Sequence, residues 1–120
     1  MKLGFLGTGK IASSVITGVC NSNIKYTKIY ISQRNKKISL SLKKKFKNII
    51  ISKTNQKIID NSDWIFLSVT PTVGEQIIKS LKFRSNQKVI SFISTITLSQ
   101  LKKMIGKNVE IVRAIPLPPI

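Results

Sequence analysis

Three small residues near the start of the chain have the types and the spacing that bind a phosphate. The stretch LGFLGTGKIA, residues 3–12, contains Gly7, Gly9 and Ala12 in the pattern G-x-G-x-x-A. The first glycine permits a tight turn, the second leaves room for a pyrophosphate beside the backbone, and the third small residue lets a helix pack closely on a strand. A helix beginning here would direct N–H groups and the positive end of its dipole at the anion. The pattern therefore predicts dinucleotide binding.

The other residues of this turn are Thr8, Lys10 and Ile11, and we expect all three to contact the cofactor. The Lys10 ammonium either adds positive charge beside the anion or extends into solvent. Glycines also make ordinary turns, so the glycine pattern alone is weak evidence and its context carries the prediction. A predicted strand ends just before it and a predicted helix begins just after it.

The segment ISQRNKK, residues 31–37, predicts which dinucleotide binds. An NAD site usually holds the ribose 2′-hydroxyl with a carboxylate about twenty residues after the glycines, whereas an NADP site has cationic and hydroxyl donors for the 2′-phosphate. The first acidic residue of this chain is Asp60. Ser32 and Arg34 suit a phosphate, with Lys37 as a further candidate. An ordinary polar loop is the alternative, and we predict NADP(H).

Polar residues also follow the predicted fourth strand, in the stretch SVTPTVGEQ, residues 68–76. Ligands of open α/β sheets bind outside the carboxyl ends of the strands. The residues predicted to line the nicotinamide-ribose side are Ser68, Val69, Thr70, Pro71 and, after the fifth strand, Ser94. Thr95 and Ile115 are expected to face the same cleft. Loops without a ligand are the alternative.

Short apolar runs alternate with segments of helical period, which is typical of βαβ units. The predicted strands are Lys2–Leu6, Lys28–Ser32, Asn48–Ile51, Trp64–Val69, Lys88–Ile93 and Val109–Val112. Four buried helical stripes are predicted from Ile11, Val15 and Val19; Ile38, Leu42 and Phe46; Val73, Ile77 and Leu81; and Leu98, Leu101 and Ile105. Thr72 and Thr97 are expected helix starts, and Gly106 a helix stop. The fold class is α/β, doubly wound, with a mainly parallel sheet of about six strands in three layers.

Composition removes several classes of enzyme. The chain has 120 residues, one cysteine and no histidine, so the usual zinc sites and the Ser-His or Cys-His nucleophilic pairs cannot be assembled from it. Its apolar runs are too short to span a membrane. We expect a cytoplasmic protein without a metal site.

The net charge of +17 suggests a nucleic-acid-binding domain as an alternative. The lysines, however, are spread along the whole chain, and no helix-turn-helix, zinc-finger or RNP-like pattern is present. We expect weak affinity for polyanions and no specific nucleic-acid partner.

Taken in order, these segments resemble the amino-terminal half of the pyrroline-5-carboxylate reductase family. The matching segments are LGFLGTGKIASSVITGV, ISQRNKK, DWIFLSVTP, VISFISTITLSQL and VRAIPLPP. In that family a Rossmann-type NAD(P) domain precedes a helical domain that dimerises and completes the substrate site. The reaction reduces the imine of 1-pyrroline-5-carboxylate to proline.

The resemblance implies that residues 1–120 form the NADP-binding domain, with Pro116, Pro118 and Pro119 at its boundary. The family's helical domain is expected to be absent, so the chain binds NADP but is inactive alone, and a homodimer is expected only in a full-length form. No catalytic residue is assigned. The substrate expected is a small imine or carbonyl compound.

Several positions depart from the family's pattern. The family generally has Val-Lys-Pro at Val69-Thr70-Pro71, Ala-Gly at Ser94-Thr95 and Pro-Asn-Thr-Pro at residues 116–119. All three lie on the nicotinamide side, which implies a divergent member with a different or broader substrate. F420-dependent NADP reductases and hydroxyacid dehydrogenases share the first half of the pattern and remain alternatives. A non-catalytic module that senses NADP is another.

Overall fold

Strands and helices alternate through the computed structural model, which describes residues 1–7, 9–33 and 35–114. Thr8, Arg34 and residues 115–120 lie outside the described residues. The sequence-based expectations for Thr8, Arg34, Ile115 and the proline-rich end therefore concern positions that the structure does not describe.

The six strands form one parallel sheet. They are β1 (Lys2–Leu6), β2 (Lys28–Ser32), β3 (Ile49–Ser52), β4 (Trp64–Leu67), β5 (Lys88–Ser91) and β6 (Glu110–Arg113). Their order across the sheet is β3-β2-β1-β4-β5-β6, the arrangement of a doubly wound dinucleotide-binding fold. The predicted fold class is confirmed.

Five helices connect the strands within the described ranges. They are α1 (Lys10–Cys20), α2 (Lys36–Lys45), α3 (Asn55–Asn61), α4 (Pro71–Ile78) and α5 (Leu98–Ile105). Sequence periodicity missed α3, because this helix has only seven residues and its buried residues, Ile58 and Ile59, are adjacent in sequence. A single turn or two of helix shows no repeat of apolar positions.

Helix termini follow local capping rules. Thr97 begins α5 with a capping box that includes Gln100, and Gly106 ends the helix. The predicted start of α4 at Thr72 is wrong, since Thr70 is the N-cap and Pro71 the first helical residue. Proline is favoured at this first position because an N–H there would have no partner inside the helix, so its absence costs no hydrogen bond.

The hydrophobic core lies on both faces of the sheet. Along β1, Leu3 and Phe5 pack in one cluster with Ala12 and Ile16 of α1, while Leu6 packs in the other cluster. This alternation follows from the two-residue period of a strand. In the described part of the chain, no helix is long and apolar enough to cross a membrane.

Two residues that were predicted to lie in the core are exposed. Ile11 is 43% exposed and Leu98 is 38% exposed, and each belongs to the first turn of its helix. The buried residues of α1 are Ala12 and Ile16 instead. Ala12 belongs to the same turn as Ile11, so the difference lies in the face of the helix, since successive residues are about 100° apart around its axis.

Candidate dinucleotide-binding cleft

A cleft opens at the carboxyl ends of β1 and β4. The chain leaves β1 toward β2 on one side, while β4 lies on the other, so this is the point where the connections diverge and where such sheets bind ligands. Two adjoining cavities of about 650 and 360 Å³ share Gly9, Ser68, Val69 and Thr70. The larger also contacts Gly7, Asn35, Lys36 and Val73. The smaller also contacts Lys10, Ile11, Pro71, Phe92, Ile93 and Ser94.

Gly7 forms the turn that leaves β1. Its φ is +95°, a backbone conformation that strains any residue with a Cβ. A Cβ at this position would also lie 2.7 Å from the Ser68 carbonyl oxygen and 2.9 Å from Val69 Cγ1. Both the conformation and the close approach of the β4 loop therefore require glycine.

Gly9 is the N-cap of α1 and borders both cavities. Its φ is −79°, so no unusual conformation requires glycine here. Apart from its neighbours in the chain, no atom of the described residues lies within 4 Å of the place where a Cβ would stand, so a side chain would meet open space there. Ser13 is the first residue of α1 whose amide makes a helical hydrogen bond, and it donates to the Gly9 carbonyl at 3.0 Å.

The first three amides of α1, at Lys10, Ile11 and Ala12, donate to none of the described residues, and the Gly9 cap makes no side-chain hydrogen bond. Helix amides that lack partners are well suited to an anion. The open space at Gly9 and these amides together fit the pyrophosphate of a dinucleotide. The fit rests on the backbone and needs no particular side chain.

The Ser68 hydroxyl holds the glycine turn in place. It donates to the Leu6 carbonyl at 2.9 Å and lies 3.3 Å from the Gly7 carbonyl, while the Ser68 amide also donates to Leu6 at 2.9 Å. Its proton is thus engaged with the main chain of β1 and the turn. Ser68 lines the cleft as predicted, and its hydroxyl joins the two loops that form it.

The start of α2 is fixed against the end of β2. The Ser39 hydroxyl, which is buried, donates to the Ser32 carbonyl at 2.6 Å, and the Asn35 side chain caps the helix by accepting from the Ile38 amide at 3.3 Å. These bonds place Lys36, the first residue of α2, at the larger cavity. Lys37 instead borders a groove on the outer surface of α2.

Most predicted site residues converge on the cleft. Those that line it are Gly7, Gly9, Lys10, Ile11, Ser68, Val69, Thr70, Pro71 and Ser94. Ala12 is fully buried between α1 and the sheet, and Ser32 is 9% exposed and borders neither cavity. Thr8 and Arg34 lie outside the described residues.

Sequence reasoning missed five residues that line the cleft: Asn35, Lys36, Val73, Phe92 and Ile93. Asn35 carried a usable signal, because an asparagine directly before a helical stretch is a favoured N-cap. Phe92 and Ile93 were assigned to the fifth strand, which ends at Ser91. Just after the strand the Ser91 hydroxyl accepts from the Ile93 amide at 3.1 Å, a local bond that replaces pairing with a neighbouring strand.

Among the described residues, the cleft is lined by two lysines and by no carboxylate. Lys10 and Lys36 line the cavities, and none of the four acidic residues does so. Asp63 accepts from the Lys2 amide at 2.8 Å, and Glu110 lies 3.8 Å from Lys88, both at the amino edge of the sheet. The charged side chains that line the cleft are therefore all positive.

The single thiol of the chain lies away from the cleft, at the end of α1. The Tyr26 hydroxyl donates to Cys20 Sγ at 3.1 Å. This hydrogen bond, with burial and the charge of the thiolate, raises the pKa of Tyr26 from 10.0 to about 12. Cys20 thus has a structural contact with Tyr26.

Residues 2–96 match the model of the family described as NADP oxidoreductase coenzyme F420-dependent. The chain belongs to this family. The match confirms the expectation of an NADP-dependent oxidoreductase domain.

Curated relatives support the predicted resemblance. Pyrroline-5-carboxylate reductase 2 of Bacillus subtilis (strain 168) is 26% identical over 96% of this chain and 42% of its own length. The pyrroline-5-carboxylate reductase of Staphylococcus saprophyticus is 25% identical over 97% of this chain and 44% of its own length. The chain is therefore a divergent relative of the amino-terminal domain of these reductases, and it spans less than half of their length.

Solved structures agree on the fold. The 1-pyrroline-5-carboxylate reductase from the human pathogen Streptococcus pyogenes has a TM-score of 0.81 at 29% identity, over 97% of this chain and 42% of that one. Plasmodium falciparum pyrroline carboxylate reductase with NADP bound has a TM-score of 0.79 at 24% identity, over 97% of this chain and 42% of that one. At that lower identity the likeness concerns the fold alone.

Proposed function

We propose that this chain is the NADP(H)-binding domain of a reductase that acts on a small imine, as pyrroline-5-carboxylate reductases do. The observation that carries the proposal is the cleft at the switch point of the sheet, where Gly9 leaves open space beside the first amides of α1. Its cationic lining, free of carboxylates, favours a phosphorylated ligand over a neutral one.

Each part of the cleft has a role in this proposal. The turn formed by Gly7, Thr8 and Gly9, with the amides of Lys10, Ile11 and Ala12, holds the pyrophosphate. We propose that Ser32, the last residue of β2, and Arg34, two residues later in the sequence, recognise the 2′-phosphate, as their distance along the chain from the glycines suggests. The residues on the nicotinamide side are Ser68, Val69, Thr70, Pro71 and Ser94.

The chemistry follows from binding and position. NADPH, when bound, supplies a hydride, and this chain orients the dinucleotide and keeps the glycine turn against β4. No carboxylate lines the smaller cavity, and we assign no proton donor among the described residues. We propose that a helical domain completes the substrate site and dimerises in a full-length form, and that residues 1–120 alone do not turn over.

The test is calorimetric titration of the chain with NADPH and, separately, with NADH. We expect saturable binding that favours NADPH by about tenfold or more, equivalent to about 1.4 kcal/mol. Incubation of the same chain with NADPH and 1-pyrroline-5-carboxylate is expected to leave the NADPH absorbance unchanged. If neither dinucleotide binds at millimolar concentration, the proposal is wrong.

A second candidate follows from the family description, which names coenzyme F420 as well as NADP. In that case the reduced dinucleotide would transfer its hydride to oxidised F420 rather than to an imine. The curated relatives favour the imine, since their similarity runs over 96% of the chain or more and so includes β6. Assays of a full-length form with each acceptor would distinguish the two.

A further inference from the structure

We propose that Lys36 is a specificity-determining residue of this chain, and that its ammonium distinguishes the 2′-phosphate of NADPH from the 2′-hydroxyl of NADH. The inference rests on the proposed function, since it concerns the same cleft. It differs from the sequence-based prediction, which selected Lys37 as the additional cation of this loop.

The place of Lys36 is determined by the bonds around the start of α2. Ser39, on the first turn, donates to the Ser32 carbonyl at the end of β2, and Asn35 caps the helix. The first residue of α2 is therefore held at the carboxyl edge of the sheet. There it borders the same cavity as Gly7 and Gly9, which form the proposed pyrophosphate site.

Position along the chain indicates which part of a dinucleotide Lys36 would meet. The end of the second strand is where doubly wound folds recognise the adenine ribose at its 2′ position. Lys10, by contrast, begins α1 and borders the smaller cavity, on the side of the β4 and β5 loops. The two lysines thus lie at different ends of the cleft, and Lys36 is at the ribose end.

The charge of Lys36 is available to a ligand. Its side chain is exposed, and in the described part of the chain no carboxylate pairs with it, because the ion pair formed there joins Lys88 and Glu110. An ammonium without a carboxylate partner gains a charge-assisted interaction when a phosphate arrives. The 2′-hydroxyl of NADH carries no charge and offers no such gain.

Lys37 provides a matched control within the same helix. It borders the outer groove of α2 with Leu40, Ser41, Lys43 and Lys44, and it contacts neither cavity of the cleft. Removing either charge changes the net charge of the chain by the same amount. A difference between the two variants therefore reports position and not total charge.

The experiment compares Lys36→Gln and Lys37→Gln by calorimetric titration with NADPH and with NADH. Lys36→Gln is expected to weaken NADPH binding by about tenfold, with NADH changed by less than about twofold, because one charge-assisted contact is lost. Lys37→Gln is expected to leave both affinities within about twofold. Lys36→Arg keeps the charge and should retain the preference for NADPH.

The outcomes separate this inference from the proposed function. If the unchanged chain prefers NADPH but Lys36→Gln keeps that preference, the assignment of Lys36 is overturned and the proposed function stands. An equal loss for both dinucleotides also overturns it, since the ammonium would then act on the shared pyrophosphate. If the unchanged chain binds neither dinucleotide, both proposals fail. Urea unfolding of each variant checks that the fold is retained.

Discussion

Gly7 and Gly9 are both glycine for different physical reasons. Gly7 combines a φ of +95° with a close approach to the Ser68 carbonyl, so its small size serves the fold. Gly9 has an ordinary φ, and beyond its chain neighbours no described atom lies within 4 Å of an added Cβ, so the fold does not require its small size, and we propose that binding does. Stability and binding can therefore be separated at these two positions.

We predict that Gly9→Ala leaves the fold intact and impairs binding. The free energy of unfolding should change by no more than about 0.5 kcal/mol, since beyond its chain neighbours the new methyl group has no described atom within 4 Å. NADPH affinity should fall by about tenfold or more, because the methyl group stands where the pyrophosphate approaches. Urea unfolding and calorimetric titration measure the two effects.

Two further alanine variants serve as controls for that prediction. Gly7→Ala should lower the free energy of unfolding by about 1–3 kcal/mol because of its backbone strain. Gly18→Ala, on an exposed turn of α1 away from the cleft, should raise it by up to about 1 kcal/mol and leave affinity unchanged. Full NADPH affinity in Gly9→Ala would contradict the pyrophosphate site.

At the scale of elements, a buried side chain joins α3 to β5 at the edge of the sheet opposite the cleft. Gln87 is 1% exposed. Its Nε2 donates to the Ile59 carbonyl at 2.6 Å and to the Ser62 carbonyl at 2.9 Å, and its Oε1 accepts from the Arg84 amide at 2.8 Å. One glutamine thus bonds to the end of a helix and to the loop before a strand.

We predict that Gln87→Met lowers the free energy of unfolding by about 2 kcal/mol, because three hydrogen bonds to buried or half-buried main chain are lost while the volume is kept. Gln76→Met on the exposed face of α4 is the matched control and should change it by less than about 0.5 kcal/mol. Urea unfolding measures both. NADPH affinity should be unchanged in each variant, and equal stabilities would contradict the role given to Gln87.

The whole molecule is strongly cationic for its size. Its charge of +17 is held within extents of 37 × 35 × 27 Å. The Debye length is about 30 Å at 0.01 M salt and about 8 Å at 0.15 M. At low salt every lysine therefore repels most of the others, and this repulsion opposes the compact state.

We predict that the urea midpoint of unfolding rises between about 0.01 and 0.15 M sodium chloride, because salt screens this repulsion. Replacing the exposed residues Lys43 and Lys44 of α2 with glutamine should reduce the rise, since two of the repelling charges are gone. A midpoint that falls with salt in the unchanged chain would contradict self-repulsion as the dominant effect.

Local chemistry was enough to predict much of this protein. The succession of strands along the chain, the parallel sheet, the glycine turn and the absence of an early carboxylate were all predicted from residues that are close in sequence, because strand and helix periods and the needs of a tight turn are local properties. The family resemblance followed from the same segments. The strand ends were less accurate, since β4 and β5 each stop two residues before the predicted ends at Val69 and Ile93.

Only the tertiary structure decided which side chains face the cleft. Successive residues of a helix are about 100° apart around its axis, so the choice between Lys36 and Lys37 depends on how α2 packs against the end of β2, where Ser39 donates to the Ser32 carbonyl. The engagement of the Ser68 hydroxyl and the placing of Asp63 and Glu110 at the far edge likewise depend on contacts between distant segments. Such contacts arise when the elements pack, and no local pattern encodes them.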